Sequence, residues 1–448
     1  MNILLISPNT LTSPYPVYPL GLDYVAGSVG QEHAVRIADL NLLDLAGLEL
    51  LLAEFAPALI GIACRNIDTT NGRDPQFLLD GSRQLIGWLR EHTRAIIVCG
   101  GSGFTIMPAA ILALLGADYG LIGEGERFGL LVAALAEGRD PGEIPGVLRA
   151  GQAALTPPPW QGPRQRRFAV ESGHHRFYLE RGGMLNLQSK RGCAFRCLYC
   201  PYPRIEGAAH RLYPPEAVAR EALLLRDAGA RYLFVTDSAF NSDVSHSLAV
   251  AQAMQKAGLG IPWGAFFAPV RLPADYFEGM AAAGCRHVEF GTESLAGSML
   301  KSYRKPFRVE DVLAAHQQAR AARLHVAHYL LLGGPGESTA TVAETLDRIE
   351  QLPRAVFFFF VGIRIYPGTG LHETAVAEGR IDREADLLRP VFYQPEAIAL
   401  GEIEAMVSER AAGRGNWVVG AGGDAAAGMV SHLHRRGLTG PLWEHLAR

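Results

Sequence analysis

The stretch Leu185-Asn186-Leu187-Gln188-Ser189-Lys190-Arg191-Gly192-Cys193-Ala194-Phe195-Arg196-Cys197-Leu198-Tyr199-Cys200 reads as an apolar strand running into a tight loop with three cysteines. Their spacing is C-x3-C-x2-C. Three thiolates on one loop can hold three irons of a 4Fe–4S cluster, which leaves the fourth iron without a protein ligand. An iron with an open position is a place for chemistry, because a substrate or cofactor can bind it directly. A structural zinc site asks for a fourth Cys or His at ligand spacing, usually in a second paired knuckle, and the chain has no second knuckle. Zinc or a purely structural cluster is the lesser reading of Cys193, Cys197 and Cys200.

The strand before the loop opens a series. Strands are predicted at Leu185–Lys190, Tyr232–Asp237, Trp263–Ala268, His287–Thr292, His325–Gly333 and Val356–Tyr366, with helices such as Pro215–Ala228 and Val309–Arg323 between them. Six βα units suit a partial (β/α)6 barrel of the TIM type, with chemistry at the carboxyl-terminal rim, where the cysteine loop falls. An earlier series has strands at Asn2–Ser7, Ala34–Asp39, Leu59–Cys64, Ala95–Cys99 and Tyr119–Ile122, and helices at Leu20–Val29, Pro75–Glu91 and Pro108–Leu115. That alternation predicts a Rossmann-like, doubly wound parallel sheet, so the fold class is α/β. Ligands of such sheets bind at the carboxyl ends of the strands. The loops there are Ser7-Pro8-Asn9-Thr10, Arg65-Asn66, Gly100-Gly101-Ser102-Gly103 and Gly123-Glu124-Gly125-Glu126. Their glycines permit positive φ and close backbone approach.

The expected organisation is a first domain over 1–140, a linker over 141–183, the barrel over 184–390 and a small, mainly helical region over 391–448 that caps the barrel. The linker carries Pro157-Pro158-Pro159 and the cluster Arg164, Arg166 and Arg167, which reads as a solvated face. His174-His175 reads as a surface pair, since adjacent side chains diverge.

With 448 residues, 48% of them apolar, the chain can bury sizeable cores in two or three domains. A net charge of −3, from 42 basic and 45 acidic residues, argues against nucleic acid as the main partner. Cys64, Cys99 and Cys285 are scattered in apolar or Gly-rich settings and read as buried free thiols. Without a disulfide framework the environment should be reducing. No secretory signal opens the chain, and the most apolar run, Ala355 to Ile363, is too short to span a bilayer. A cytoplasmic protein is expected.

The cysteine spacing, with Tyr199 before the last cysteine, resembles the radical S-adenosylmethionine (SAM) superfamily, whose core is a partial (β/α)6 barrel. Phe234-Val235-Thr236-Asp237, Phe290-Gly291-Thr292-Glu293-Ser294, Gly333-Gly334-Pro335-Gly336-Glu337 and Arg364-Ile365-Tyr366-Pro367-Gly368-Thr369 resemble further family strand ends. The resemblance implies that Asp237 contacts the methionine part of SAM, that Glu293 touches its ribose or amino group, and that Tyr199 and Arg364 belong to the same site. Against this, Glu293 could form a barrel salt bridge, although Glu289 and Glu293 on one strand face line an interior poorly unless something binds them.

The first domain looks like a cobalamin-binding domain, on the strength of Ser7-Pro8, Pro19-Leu20-Gly21-Leu22, Gly100-Gly101 and Asp118 to Glu126. Ser7, Asn9, Gly100, Gly101 and Glu124 are the contacts implied. The lower-ligand signature Asp-x-His-x-x-Gly is absent, so no histidine can be named as a cobalt ligand. Together the two resemblances cover about residues 1–370 and imply a cobalamin-dependent radical SAM enzyme, a class known mainly for methyltransferases. Implied with it are a 4Fe–4S cluster, SAM, cobalamin, a small-molecule substrate bearing an unactivated carbon, and a flavodoxin- or ferredoxin-type electron donor. The alternatives are a cyclase, ring-contraction or rearrangement enzyme on the same architecture, a cobalamin-independent enzyme with a vacant first domain, and a non-enzymatic cluster protein.

Overall fold

The computed structural model describes residues 1–168, 173–420 and 424–447. Strands β1 (Asn2–Ser7), β2 (Ala34–Asp39), β3 (Leu59–Ala63), β4 (Ile96–Gly100), β5 (Tyr119–Leu121) and β6 (Val147–Arg149) form one sheet in the order β2-β1-β3-β4-β5-β6. The first five are parallel, and β6 closes the edge antiparallel to β5. Side-chain alternation sends Leu4 and Ile6 into one core and Ile3 and Leu5 into another, so both faces of β1 are buried. The chain winds outward in both directions from β1 and β3. That switch point opens a crevice above their carboxyl ends.

The second unit comprises β7 (Met184–Leu187), β8 (Lys190–Arg191), β9 (Arg211–Leu212), β10 (Tyr232–Val235), β11 (Trp263–Phe267), β12 (Cys285–Glu293), β13 (His325–Leu332), β14 (Ala355–Val361) and β15 (Trp417–Val419). Seven of these form one parallel sheet, ordered β7-β10-β11-β12-β13-β14-β15, and β8 and β9 make a separate antiparallel ladder. Trp263, Ala265 and Phe267 of β11 pack outward among the helices, as do Phe357 and Phe359 of β14, so the residues between them face the lumen.

One expectation gains an addition and another is corrected. The region after 390 is mainly helical as expected, but it also adds β15, which pairs with β14 as a seventh strand, Phe357 opposite Trp417. That strand is three residues long, and its flanks read as helix, which hid it. The stretch 141–183 is not only a linker. It supplies β6 to the first sheet and a helix at His175–Glu180.

Of the arginine cluster in that stretch, Arg167 is exposed as expected, but Arg164 and Arg166 are not solvated. Arg166 donates from Nε to Asp23 at 2.8 Å, and from Nη1 to Glu221 at 3.0 Å and the Asn186 carbonyl at 2.9 Å. Its side chain is buried. Arg164 stacks over Tyr213 and Tyr24 and pairs with Glu221. His174 and His175 are buried too, with His174 Nε2 2.8 Å from the Tyr18 hydroxyl, which in turn donates to Asp23. Local polarity made these residues read as surface. They are buried because the first sheet and the barrel close over them. Burial pushes the Asp23 carboxyl up to about 6, against the opposing pull of Arg166. Three further pairs cross the same junction: Arg191 with Glu126 at 2.9 Å, Arg364 with Asp68 at 2.9 Å, and Arg211 with Glu124.

Removing one partner of a buried pair leaves the other charge uncompensated, at a cost of about 3–5 kcal/mol. Arg166→Met is therefore expected to lower unfolding stability by about that amount, because it strands Asp23 and leaves Glu221 to Arg164. Adding Asp23→Asn should recover part of the loss. A double-mutant cycle followed by chemical denaturation checks it, and purely additive effects would show that the pair is not coupled.

Candidate active site between the two sheets

The cysteine loop leaves the rim of β7 and is closed at its base by the β8–β9 ladder. Gly192 has φ +84°, and a Cβ there would collide with the Ala209 carbonyl, so the position requires glycine. Three barrel segments then pin the loop by its backbone. Cys193 N donates to the Gly207 carbonyl at 3.1 Å, Leu198 N to Tyr303 at 3.0 Å, and Leu371 N to Leu198 at 2.7 Å. The three thiols are unpaired, with Cys193 buried and Cys197 and Cys200 half-buried. Burial pushes the Cys197 thiol up and the Cys200 thiol up to about 12, and the neighbouring cysteines push the same way. Three convergent thiols on one loop fit a cluster whose irons take thiolates.

Asp237 stands beneath this loop. It accepts from Ser189 N at 2.8 Å, Ser189 Oγ at 2.5 Å and Lys190 Nζ at 3.0 Å, all buried. Lys190 also donates to the carbonyls of Ala239 and Phe240. Both Asp237 oxygens are occupied in tying the β7 exit to the β10 exit, so this residue positions the cluster loop. Arg364 is likewise occupied, by Asp68 and the carbonyls of Ile365 and Leu387. Its guanidinium serves the junction with the first domain.

Glu293 and Tyr199 do meet. The Tyr199 hydroxyl donates to Glu293 Oε1 at 2.7 Å, and Lys305 Nζ lies 3.1 Å from the same oxygen. The β12–β13 register shifts between Gly291 and Glu293, and Glu293 takes φ +62°. A non-glycine residue held left-handed at a bulge is strained, at a cost of order 1–3 kcal/mol, and such strain collects at functional sites. The bulge re-aims the carboxylate toward the cysteine loop. Burial works against the Lys305 ammonium, but Glu293 and the Cys197 thiol outweigh it and hold its pKa above the ordinary range. Lys305 was not legible as a site residue, since no motif surrounds it. Glu289, on the same strand, is satisfied internally by Trp443 Nε1 at 2.9 Å and the Tyr329 hydroxyl at 2.8 Å.

Above the first sheet lies a cavity of about 320 Å³ that opens to solvent. Ser7, Asn9, Gly100, Gly101 and Glu124 all line it, and Asn186, Gln188 and Tyr202 face it from the barrel. Its lining of glycines and small polar side chains at the strand ends suits a cofactor such as cobalamin that lies over the sheet and extends into the opening. Gly21 opens on the same space, with nothing within 4 Å of the position a Cβ would take. No histidine is among the described lining residues, so the protein offers no imidazole to cobalt from this wall. Arg65 reaches in from the end of β3, its guanidinium pKa lowered by burial. Gly101 is required for another reason than ligand approach: at φ +116°, a Cβ would press on the Cys64 backbone. The Glu124 carboxylate is shared among Arg127 at 3.0 Å, Trp160 N at 3.2 Å and Arg211, so it meets the cavity as a neutralised wall.

Two substitutions separate these roles. Asp237→Asn should strand buried Lys190 and lower both iron retention and thermal stability. Glu293→Gln should leave iron and stability near wild type and weaken SAM binding at least tenfold. Iron analysis and equilibrium dialysis check both, and equal iron loss in the two variants would merge their roles.

Residues 187–349 match the Radical SAM superfamily, and residues 6–131 match the B12 binding domain. Tryptophan 2-C-methyltransferase from Streptomyces laurentii is 26% identical, over 83% of this chain and 74% of that protein. Cytidylyl-2-hydroxyethylphosphonate methyltransferase from Streptomyces wedmorensis is 24% identical, over 88% and 85%. The fold superposes on the radical SAM methyltransferase TsrM from Kitasatospora setae, solved with tryptophan and a SAM analogue, with TM-score 0.85 and 22% identity over 100% of this chain and 98% of that one. The same enzyme solved with cobalamin and a 4Fe–4S cluster gives TM-score 0.84. No helix among the described residues is long and apolar enough to cross a membrane. The chain belongs to the cobalamin-dependent radical SAM enzymes, with a B12 binding domain set ahead of a radical SAM core.

Proposed function

We propose that this enzyme transfers a methyl group to a carbon of a planar aromatic small molecule held in the barrel lumen. The observation that carries the reading is the lumen wall. Phe234, Phe266, Tyr329 and Phe358 lie on the inward faces of β10, β11, β13 and β14. Phe234 meets Phe266 edge-on at 5.1 Å, Phe266 meets Tyr329 edge-on at 5.8 Å, and Tyr329 stacks on Phe358 at 4.9 Å. Phe266 is 37% exposed in mid-strand, so part of its face is unpaired inside the barrel. An aromatic guest would cover that face and gain about 0.5–1.5 kcal/mol beyond its burial. The wall continues upward, because Phe234 lies opposite Asn186 in register and Asn186 lines the cavity over the first sheet. A substrate in the lumen would thus look out on that cavity and on Tyr202, two residues beyond Cys200.

When bound, the cluster, SAM and cobalamin supply the methyl group and the means of moving it. The chain's own residues bind and orient. Cys193, Cys197 and Cys200 would hold the cluster. Glu293, braced by Tyr199 and Lys305, would receive the amino end of SAM. Ser7, Asn9 and Gly21 would border cobalamin. The aromatic wall excludes water from the acceptor carbon. Both relatives named above are methyltransferases, one acting on tryptophan, which supports the aromatic reading. An external flavodoxin- or ferredoxin-type donor would reduce the cluster. A reducing, cytoplasmic setting suits six unpaired cysteines, and the net charge of −3 favours a small molecule over nucleic acid.

Phe266→Ala should raise KM for an indole or phenyl substrate up to about tenfold, the upper end of what one aromatic contact is worth. Iron and cobalt content should not change. Product bearing one added methyl, detected by mass spectrometry with tryptophan and related aromatics, tests the class. Binding of no aromatic amino acid at millimolar concentration would refute it.

Gly21→Phe should fill the cavity from a helical position without backbone strain. Cobalt occupancy should fall while iron stays constant. In wild type the bound cobalamin should show no nitrogen from a protein histidine in its electron spin resonance spectrum, and a histidine signal would reject this placement.

A further inference from the structure

The amino-terminal end of the barrel holds a second cluster of chemically capable side chains that the proposed reaction does not use. His287 of β12 and His325 of β13 are register partners, with rings stacked at 5.0 Å and 26°. Glu444 arrives from the last described turn, Trp443–Ala447, which packs beneath the lumen. One ring nitrogen from each histidine and one Glu444 carboxylate oxygen lie within 4.8 Å of one another. From Glu293 the site is six residues down the same strand, or about 20 Å.

We infer that His287, His325 and Glu444 form a binding site for a divalent transition metal of the zinc type, which fastens the C-terminal turn to the barrel floor. Four observations support it. His287 Nε2 and Glu444 Oε2 are 3.0 Å apart, yet both are buried and neither has an aligned hydrogen bond. Two buried polar atoms aimed at one point without a proton well placed between them are costly unless something else satisfies both. Their separation is close to the edge of a zinc tetrahedron, about 3.3 Å for ligands at about 2.0–2.1 Å. The other ring nitrogen of His287 is already fixed, with Nδ1 2.8 Å from the Tyr232 hydroxyl. A second partner on the far nitrogen is the usual way a metal-binding imidazole is oriented. Finally, His325 is exposed, so the site has an entry path and room for a water as fourth ligand.

Two imidazoles and one carboxylate suit zinc, which accepts nitrogen and oxygen donors in a four-coordinate site with one open position. The alternative is a protonated His287–Glu444 ion pair with no metal.

The consequence would be structural. Trp443 contacts the His287 ring edge-on at 5.1 Å and donates to Glu289, which Tyr329 also holds. A metal at Glu444 would therefore set the lumen floor directly below the aromatic wall.

The test uses cluster-loaded, cobalamin-loaded protein, so that the three loop cysteines are already occupied. Zinc alone is titrated in competition with a chromophoric chelator, and zinc and iron are counted together. One zinc per chain is expected beyond the cluster iron, with a raised melting temperature. His325→Ala and Glu444→Gln should each weaken zinc binding by more than the ~10–100-fold that outer partners are worth. Iron content and far-ultraviolet circular dichroism should be unchanged. Zinc-edge X-ray absorption should show nitrogen and oxygen neighbours and no sulfur. His325 is exposed, so its variant folds even if a Glu444 variant does not. Failure of wild type to bind zinc at 10 µM free metal, unchanged binding in both variants, or sulfur around the zinc would each overturn the site.

Discussion

The arrangement depends on one constraint: the carboxyl ends of two parallel sheets must face each other across a fixed gap. Neither sheet can set that gap alone. It is set by charges buried between them, with Arg166 joining Asp23 of the first unit to Glu221 of the second, Arg191 meeting Glu126, and Arg364 meeting Asp68. Buried pairs of this kind add little net stability, because desolvation consumes most of their attraction. What they impose is geometry, since any slip leaves a charge unpaired in a dry interior. Arg191 lies two residues before Cys193, and Glu126 belongs to the glycine-rich loop at the edge of the cavity. The pair therefore couples the cluster loop to the cobalamin wall through one contact.

The same logic explains the division of labour among acidic residues. Asp237, Glu124 and Glu289 have their oxygens filled by neighbours and hold structure. Glu293 differs. It sits on a bulge with left-handed backbone, at the open end of its strand, with only Tyr199 and Lys305 beside it. The local strain is sustained because β12 is fixed on both sides by β11 and β13. A carboxylate placed at that cost, beside three convergent thiols, is well placed to meet a ligand at the cluster loop.

Much of this was legible in the chain. Strand positions came from apolar runs between turn residues, and the cysteine spacing located the cluster loop on the barrel rim. The loops that line the cavity followed from the rule that ligands sit at strand carboxyl ends, and the resemblance to cobalamin-binding domains singled out Ser7, Asn9, Gly100, Gly101 and Glu124 within them. What was not legible depends on partners distant in sequence. Arg164 and Arg166 lie in a proline-rich, polar stretch, and nothing local shows that Asp23 and Glu221 will close over them. Asp237 occupies a familiar position, but its occupancy by Lys190 and Ser189 appears only in three dimensions. β15 is three residues long and gains its identity from pairing with β14. The lumen aromatics are spread one or two to a strand, so no window of sequence displays them together.

The barrel floor completes the picture. A lumen lined by aromatic rings needs a closed end if it is to keep water from an acceptor carbon, and seven strands leave that end open. The chain closes it with its own last turn, where Trp443 fills the space among Ala327, Val356 and Val418. Its indole N–H satisfies Glu289, and Glu289 in turn fixes the hydroxyl of Tyr329, whose ring is part of the wall. The position of a ring that would touch substrate is therefore set from below by the C-terminal turn and from the side by Phe266 and Phe358. Changes to the barrel floor should reach the substrate through Tyr329 before they reach the cluster, because the cysteine loop is pinned independently through Gly207, Tyr303 and Leu371.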